Sequence, residues 1–157
     1  MNTSLSDKWV FITGASAGVG AEGARHFARE GANVILGARR VERLESVAAE
    51  CKQAGAASAH FHELDVACTD SVNAFVDWLK TLTSKLDVLV NNAGGAHGMD
   101  TVANGKDADW EAMVQSNFLG LMRVTRACLP LMVENPGSTI INIGSIAGRV
   151  ADRKSVV

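Results

Sequence analysis

The octapeptide Thr13-Gly14-Ala15-Ser16-Ala17-Gly18-Val19-Gly20 has the residue types and spacing to hold a dinucleotide's diphosphate. Gly14 permits a sharp exit from a strand. Gly18 and Gly20 carry no side chains, so a pyrophosphate can approach the main chain and a helix can pack closely on a sheet. Thr13, Ser16, Ala17 and Val19 complete the loop. A helix starting at Gly18 offers free N–H groups and a positive dipole end to phosphates. A flexible, ligand-free turn is the alternative. It is disfavoured because the loop follows a strand-like run and precedes a helical one, as the motif requires.

Further along, Gly37-Ala38-Arg39-Arg40 follows the second strand-like run. An Asp or Glu at this place would bind a ribose 2′-hydroxyl, and none is present. A guanidinium there suits a 2′-phosphate, through charge-assisted and often bidentate hydrogen bonds. Arg39 and Arg40 therefore point to NADP(H) over NAD(H). The other reading makes them solvated charges or partners of Glu42 and Glu45. Ser145 stands at the end of an apolar run near the chain's last residue, where α/β enzymes place chemistry. His26, His60, His62 and His97 form no triad or metal pattern, and no metal site is expected.

The elements that must position these groups are legible in the hydrophobic periodicity. Strand-like runs at Lys8–Thr13, 32–38, 58–66, 86–94 and 138–145 alternate with helical stretches. The helices are expected at Gly18–Gly31, at 39–55 with Val41, Leu44, Val47 and Ala48 inward, and at 69–84 with Val72, Phe75, Val76 and Leu79 inward. Thr69 or Asp70 would cap the third helix. Residues 107–135 read as one long helix, which Pro130 kinks or weakens near its end. Alternating strands and helices predict βαβ units and a doubly wound, parallel Rossmann-type α/β sheet of about five strands. Apolar residues at nearly every strand position suggest strands covered on both faces. Ligands belong at the strands' carboxyl ends.

The 157 residues suit a single domain, 1–157. Hydrophobic residues make up 47% and charged residues 20%, as in a globular protein. A net charge of −2 gives no electrostatic argument for nucleic acid or anionic membrane. No signal-peptide core and no run of ~18 apolar residues is present, so a cytoplasmic protein is expected. Cys51, Cys68 and Cys128 lie far apart and read as reduced thiols.

Four motifs in order carry a family resemblance. The glycine loop has the spacing T-G-x-x-x-G-x-G. Leu64-Asp65-Val66 closes the third strand. Asn91-Asn92-Ala93-Gly94 closes the fourth, and Ser116-Asn117-Phe118-Leu119-Gly120 lies in the long helix. With Ile141–Gly148 around Ser145, the chain resembles the short-chain dehydrogenase/reductase family. It looks most like NADP-dependent 3-hydroxy acid (serine-type) dehydrogenases. The resemblance implies hydride transfer between nicotinamide and a small carbonyl or secondary alcohol substrate, with a small hydroxy acid as a guess. It assigns Asp65 and Val66 to the adenine side and Asn91, Asn92, Ala93 and Gly94 to the cofactor. Ser145 would bond the substrate oxygen, and Asn117 would anchor a relay water. Read alone, Ser145 merely ends a strand and Asn117 is a polar helix residue. The long helix would join a four-helix interface in a homo-oligomer of the full-length form.

The same resemblance implies a catalytic Tyr thirteen residues after the serine and a Lys four residues further on. That places the tyrosine at 158, whereas the sequence ends at Val157 and contains no tyrosine at all. Lys154 has no partner at the required spacing. The sheet is therefore expected to be incomplete on its C-terminal side, and these residues alone to be inactive. A non-catalytic, NADP-binding or interaction protein is the alternative.

Overall fold

A computed structural model describes residues 5–98 and 100–146. The tail that contains Gly148 and Lys154 lies outside the described residues. Five strands form one parallel sheet in the order β3-β2-β1-β4-β5. They are β1 (Trp9–Thr13), β2 (Asn33–Ala38), β3 (Ser58–Glu63), β4 (Val88–Asn91) and β5 (Thr139–Asn142). The helices α1 (Gly18–Arg29) and α2 (Val41–Ala54) cover one face. The other face carries α3 (Thr69–Leu82) and a broken helix, α4 (Asp107–Met113) followed by α5 (Gly120–Cys128). This is the expected doubly wound Rossmann architecture.

Strand alternation sends neighbouring side chains to two separate cores. Val10 and Ile12 of β1 join Val34, Leu36, Ala24 and Leu44 on the α1–α2 side. Phe11, between them, joins Ile35, Phe75, Leu79 and Val124 on the α3–α5 side. Its ring stacks on Phe75 with centroids 4.6 Å apart. Each such large apolar side chain, fully buried, contributes about 1.5–3 kcal/mol. The inward faces of α3 are as the periodicity predicts. On α2, Leu44, Val47 and Ala48 are buried, whereas Val41 is exposed because it opens the helix.

Two further expectations need correction. The cap of α3 is Cys68, and no side chain caps it. Thr69 lies one residue inside, and its hydroxyl accepts a hydrogen bond from Arg123 Nε at 3.1 Å. The long helix is not continuous. Residues Val114–Leu119 form a π-helical segment between α4 and α5. Ser116 Oγ there donates back to the Ala112 carbonyl at 2.9 Å, and Arg123 donates to both the carbonyl and the side chain of Gln115. Pro130 does weaken the end, which tightens to a 3-10 turn at Leu129–Leu131. Among the described residues β5 is an outermost strand and exposed along its whole length, as a sheet incomplete on its C-terminal side would have it.

At the sheet's opposite end, Asp87 ties β4 to β1. Its carboxylate accepts from the Trp9 N–H at 2.9 Å, Lys8 Nζ at 3.0 Å and Asn135 Nδ2 at 3.2 Å. Among the described residues, no helix is long and apolar enough to cross a membrane.

Candidate cofactor and active site

The glycine loop runs from the carboxyl end of β1 into α1. Thr13, only 1% exposed, is its hub. Its Oγ1 accepts the N–H groups of Asn92 at 3.0 Å and Ala93 at 2.9 Å, and donates to the Val90 carbonyl at 3.4 Å. The Asn92 side chain answers by donating Nδ2 to the Thr13 and Gly14 carbonyls at 2.9 and 3.3 Å. The Asn-Asn-Ala-Gly segment thus braces the loop from below. Gly20 is needed for that fit: a Cβ there would lie 2.5 Å from Asn92 Nδ2 and 2.6 Å from the Gly14 carbonyl oxygen.

The outward side of the loop is arranged differently. Gly18 has φ +57°, a left-handed backbone, and a Cβ there would meet nothing within 4 Å. The α1 N-cap, Ala17, has no side-chain cap, and the first turn holds no acidic residue. The first N–H groups of a helix have no partner within it. Here they are given to no capping side chain and face no competing carboxylate. An anion of phosphate type fits this cradle.

Arg40 caps α2 and reaches back to the loop, where Nη2 donates to Ser16 Oγ at 3.0 Å. Neither Arg39 nor Arg40 forms an ion pair with Glu42 or Glu45 among the described residues. Arg39 is exposed beside Arg40. Asp65 follows β3. Its backbone N–H donates to Ser71 Oγ, and its Oδ1 accepts the Ala67 N–H, which folds the turn between β3 and α3. Val66 is buried under that turn.

Asn117 sits within the π-helical segment. Its Oδ1 accepts the Gly95 N–H at 2.7 Å and its Nδ2 donates to the Gly95 carbonyl at 2.8 Å. The side-chain amide thereby clamps both backbone groups of one residue in the loop after β4, close against Gly94. π-Helical turns are frequent at functional sites, and nothing in the local residue pattern predicted this one. Ser145 is exposed just beyond β5. His97 is exposed in the loop after Gly94. Among the described residues, no group of three His, Cys, Asp or Glu gathers as a metal site.

Apart from Asn117, the site residues so far lie at or beyond the carboxyl ends of all five strands. Asn91 was expected with them, yet its side chain turns inward. It is 4% exposed and donates Nδ2 to Thr125 and Asn142. Consecutive strand residues face opposite sides, so Asn91 serves the α5 side while Asn92 serves the glycine loop. Two adjacent amides at a strand's end were the signal for this division of labour.

A short chain dehydrogenase family model matches residues 8–157. The chain belongs to that family. Among relatives, a sulfoacetaldehyde reductase from Chromohalobacter salexigens is 40% identical over 141 residues, which cover 89% of this chain and 55% of the relative. The NADP-dependent 3-hydroxy acid dehydrogenase YdfG of Escherichia coli K12 is 40% identical over 139 residues, 88% of this chain and 54% of the relative. A solved alcohol dehydrogenase from the archaeon Thermococcus sibiricus, complexed with 5-hydroxy-NADP, superposes with a TM-score of 0.86 at 33% identity. It covers 92% of this chain and 61% of that one. This short-chain dehydrogenase sequence therefore spans about half the length of the curated relatives it matches.

Proposed function

We propose that this chain is the NADP(H)-binding portion of an oxidoreductase that transfers hydride between nicotinamide and a small carbonyl or secondary alcohol. The reading rests above all on the outward face of the glycine loop. There an uncapped helix start with no acidic first turn lies beside Arg40, which is tethered to Ser16. The diphosphate sits on the main-chain amides of Gly18, Val19 and Gly20, and Arg40 with Arg39 takes the 2′-phosphate. Thr13, Gly14 and Ala17 shape the loop. Asp65 and Val66 flank the adenine, and Asn91 to Gly94 hold the strand end beneath the nicotinamide half. When bound, the nicotinamide supplies the redox chemistry. Ser145 donates a hydrogen bond to the substrate oxygen. Asn117 keeps the loop after β4 in place and holds the relay water. The similarity to NADP-dependent 3-hydroxy acid dehydrogenases and to structures carrying NADP or its analogue supports the cofactor choice. A small hydroxy acid fits the first of these.

The 157 residues contain no tyrosine to exchange the hydroxyl proton. General acid–base catalysis contributes ~10²–10⁴-fold, so these residues bind cofactor with negligible turnover. We take them as a single domain of a cytoplasmic protein without a nucleic-acid role. Trp110, Val114, Phe118 and Met122 are exposed along the broken helix and support its use between subunits of a homo-oligomer. Fluorescence titration tests the central reading. NADPH should bind more tightly than NADH, and saturating NADPH should raise the melting temperature. If neither dinucleotide moves the melting temperature, the reading fails.

A further inference from the structure

The widened turn Val114–Leu119 carries Asn117, and side-chain donors reach it at both borders. In a π-helical turn the backbone bonds run from i to i+5 instead of i to i+4. On the N-terminal side, Ser116 Oγ donates to the Ala112 carbonyl at 2.9 Å. On the C-terminal side, Arg123 of α5, itself half-buried, reaches back to Gln115. Its Nη1 donates to the Gln115 carbonyl at 3.2 Å and its Nη2 to Gln115 Oε1 at 2.7 Å. Its Nε donates to Thr69 Oγ1, at the start of α3, at 3.1 Å. One planar guanidinium thus spends three of its nitrogens on oxygens from two elements. None of those oxygens belongs to a carboxylate, so the fork geometry of the donor sets the arrangement and charge pairing does not.

The packing beneath this staple is close. A Cβ at Gly120 would lie 2.8 Å from Val66 Cγ2 and 3.1 Å from the Gln115 carbonyl oxygen. Val66 is buried in the turn between β3 and α3, and Val124, next to Arg123, is buried in the same core. The start of α5 is therefore seated on that turn, and Arg123 joins this seat to the π-helical segment. We propose that Arg123 is a positioning residue for Asn117. It holds the widened turn open from α5 and α3, so that the Asn117 amide faces Gly95. Were the turn to close into a regular helix, each residue of slip would rotate what precedes it by about 100° relative to α5. Asn117 would then swing away from Gly95, whose N–H and carbonyl it holds at 2.7 and 2.8 Å.

The staple also joins two parts of one site. Thr69 stands four residues after Asp65, in the helix that follows the turn assigned to the adenine. Gln115 stands two residues before the asparagine assigned to the relay water. The chemical importance of Asn117 rests on the function proposed above. The staple does not, because its test reads hydrogen bonds and needs neither cofactor nor activity.

The experiment is nuclear magnetic resonance on the ¹⁵N-labelled 157-residue chain without cofactor. In the wild type the Gly95 N–H should exchange slowly for a loop amide. The Asn117 side-chain amide should resonate apart from those of solvated asparagines. Arg123→Met removes all three donors and keeps an unbranched stem. Gly95 exchange should then quicken roughly tenfold, the worth of one such hydrogen bond, and the Asn117 amide should move to the solvated position. Arg123→Lys keeps the charge without the fork and should fall between the two. Val47→Ala, in the core on the other face of the sheet, should lower the urea midpoint and leave both signals as in the wild type. Unchanged signals in folded Arg123→Met overturn the proposal, as does an equal change in Val47→Ala or an unprotected Gly95 in the wild type. Should Arg123→Met not fold, Gln115→Leu and Thr69→Val, which each remove one acceptor, decide by the same signals. A failure to bind NADPH would count against the proposed function alone.

Discussion

Replacing Thr13 by valine keeps the shape of a side chain that is 1% exposed and removes the hub of the glycine loop. The hydroxyl accepts from two backbone amides, those of Asn92 and Ala93, at 3.0 and 2.9 Å. A buried donor left without an acceptor costs about 1–3 kcal/mol. Both residues are partly exposed, so water offsets some of this, and the pair together costs about 2–4 kcal/mol. The bond to the Val90 carbonyl, at 3.4 Å, adds little. The extra methyl of valine returns about 0.8 kcal/mol. The net loss for Thr13→Val is therefore about 1–3 kcal/mol. Thr13→Ser retains the hydroxyl and loses one methyl, at about 1 kcal/mol. Urea unfolding followed by circular dichroism should rank wild type above Thr13→Ser and Thr13→Ser above Thr13→Val, with similar slopes. In heat, Thr13→Val should melt roughly 2–12 °C below wild type. If Thr13→Val is as stable as Thr13→Ser or more so, the hydroxyl does not brace the loop, and the account of Asn92 and Ala93 falls with it.

Arg40→Glu should weaken NADPH binding roughly 10–100-fold, the worth of a charge-assisted contact, while leaving NADH binding equal or improved. Fluorescence titration of both dinucleotides checks this. Burial pushes the Asp87 carboxyl up, but the Trp9 N–H, the Lys8 ammonium and the Asn135 amide outweigh it and hold the group below its ordinary value. A depressed carboxyl lends stability above the unfolded value of about 3.9 and loses it as pH falls through the lower folded value. The unfolding gap between wild type and Asp87→Asn should thus be full at pH 7 and close below about pH 4; a gap unchanged at pH 2 contradicts the clamp. Burial raises the Cys51 thiol to about 11 and Cys128 to about 12, whereas Cys68 is exposed. Iodoacetamide at neutral pH should alkylate the native chain at Cys68 alone and the denatured chain at all three, as mass spectrometry will read.

Most of the frame was legible because its signals are local. The glycine loop stands where a strand period gives way to a helix period. The inward face of α3 follows from spacing alone. The π-helical segment was not legible, because residues 107–128 carry an unbroken helical pattern and what accompanies the widening lies elsewhere. Asn117 clamps Gly95, twenty-two positions away, and Arg123 spans Gln115 and Thr69. The cap of α3 was misread for a similar reason, since Thr69 looks like a cap locally but accepts from Arg123.

The residues after β4 show how little separation exists between cofactor loop and chemistry. Asn91 and Asn92 are consecutive, so one extended backbone points one amide to each face of the sheet. Asn92, with the Asn92 and Ala93 N–H groups, supports the loop that would carry the diphosphate. Asn91 reaches across to the strand that carries Ser145. Four residues after Asn91, Gly95 is held by Asn117. The end of β4 is therefore a shared abutment. Any change that displaces its backbone must disturb the phosphate cradle, the serine and the asparagine together. That explains why polar side chains occupy positions where an apolar strand end would pack more simply. Their hydrogen bonds fix directions, which apolar contacts, being non-directional, do not.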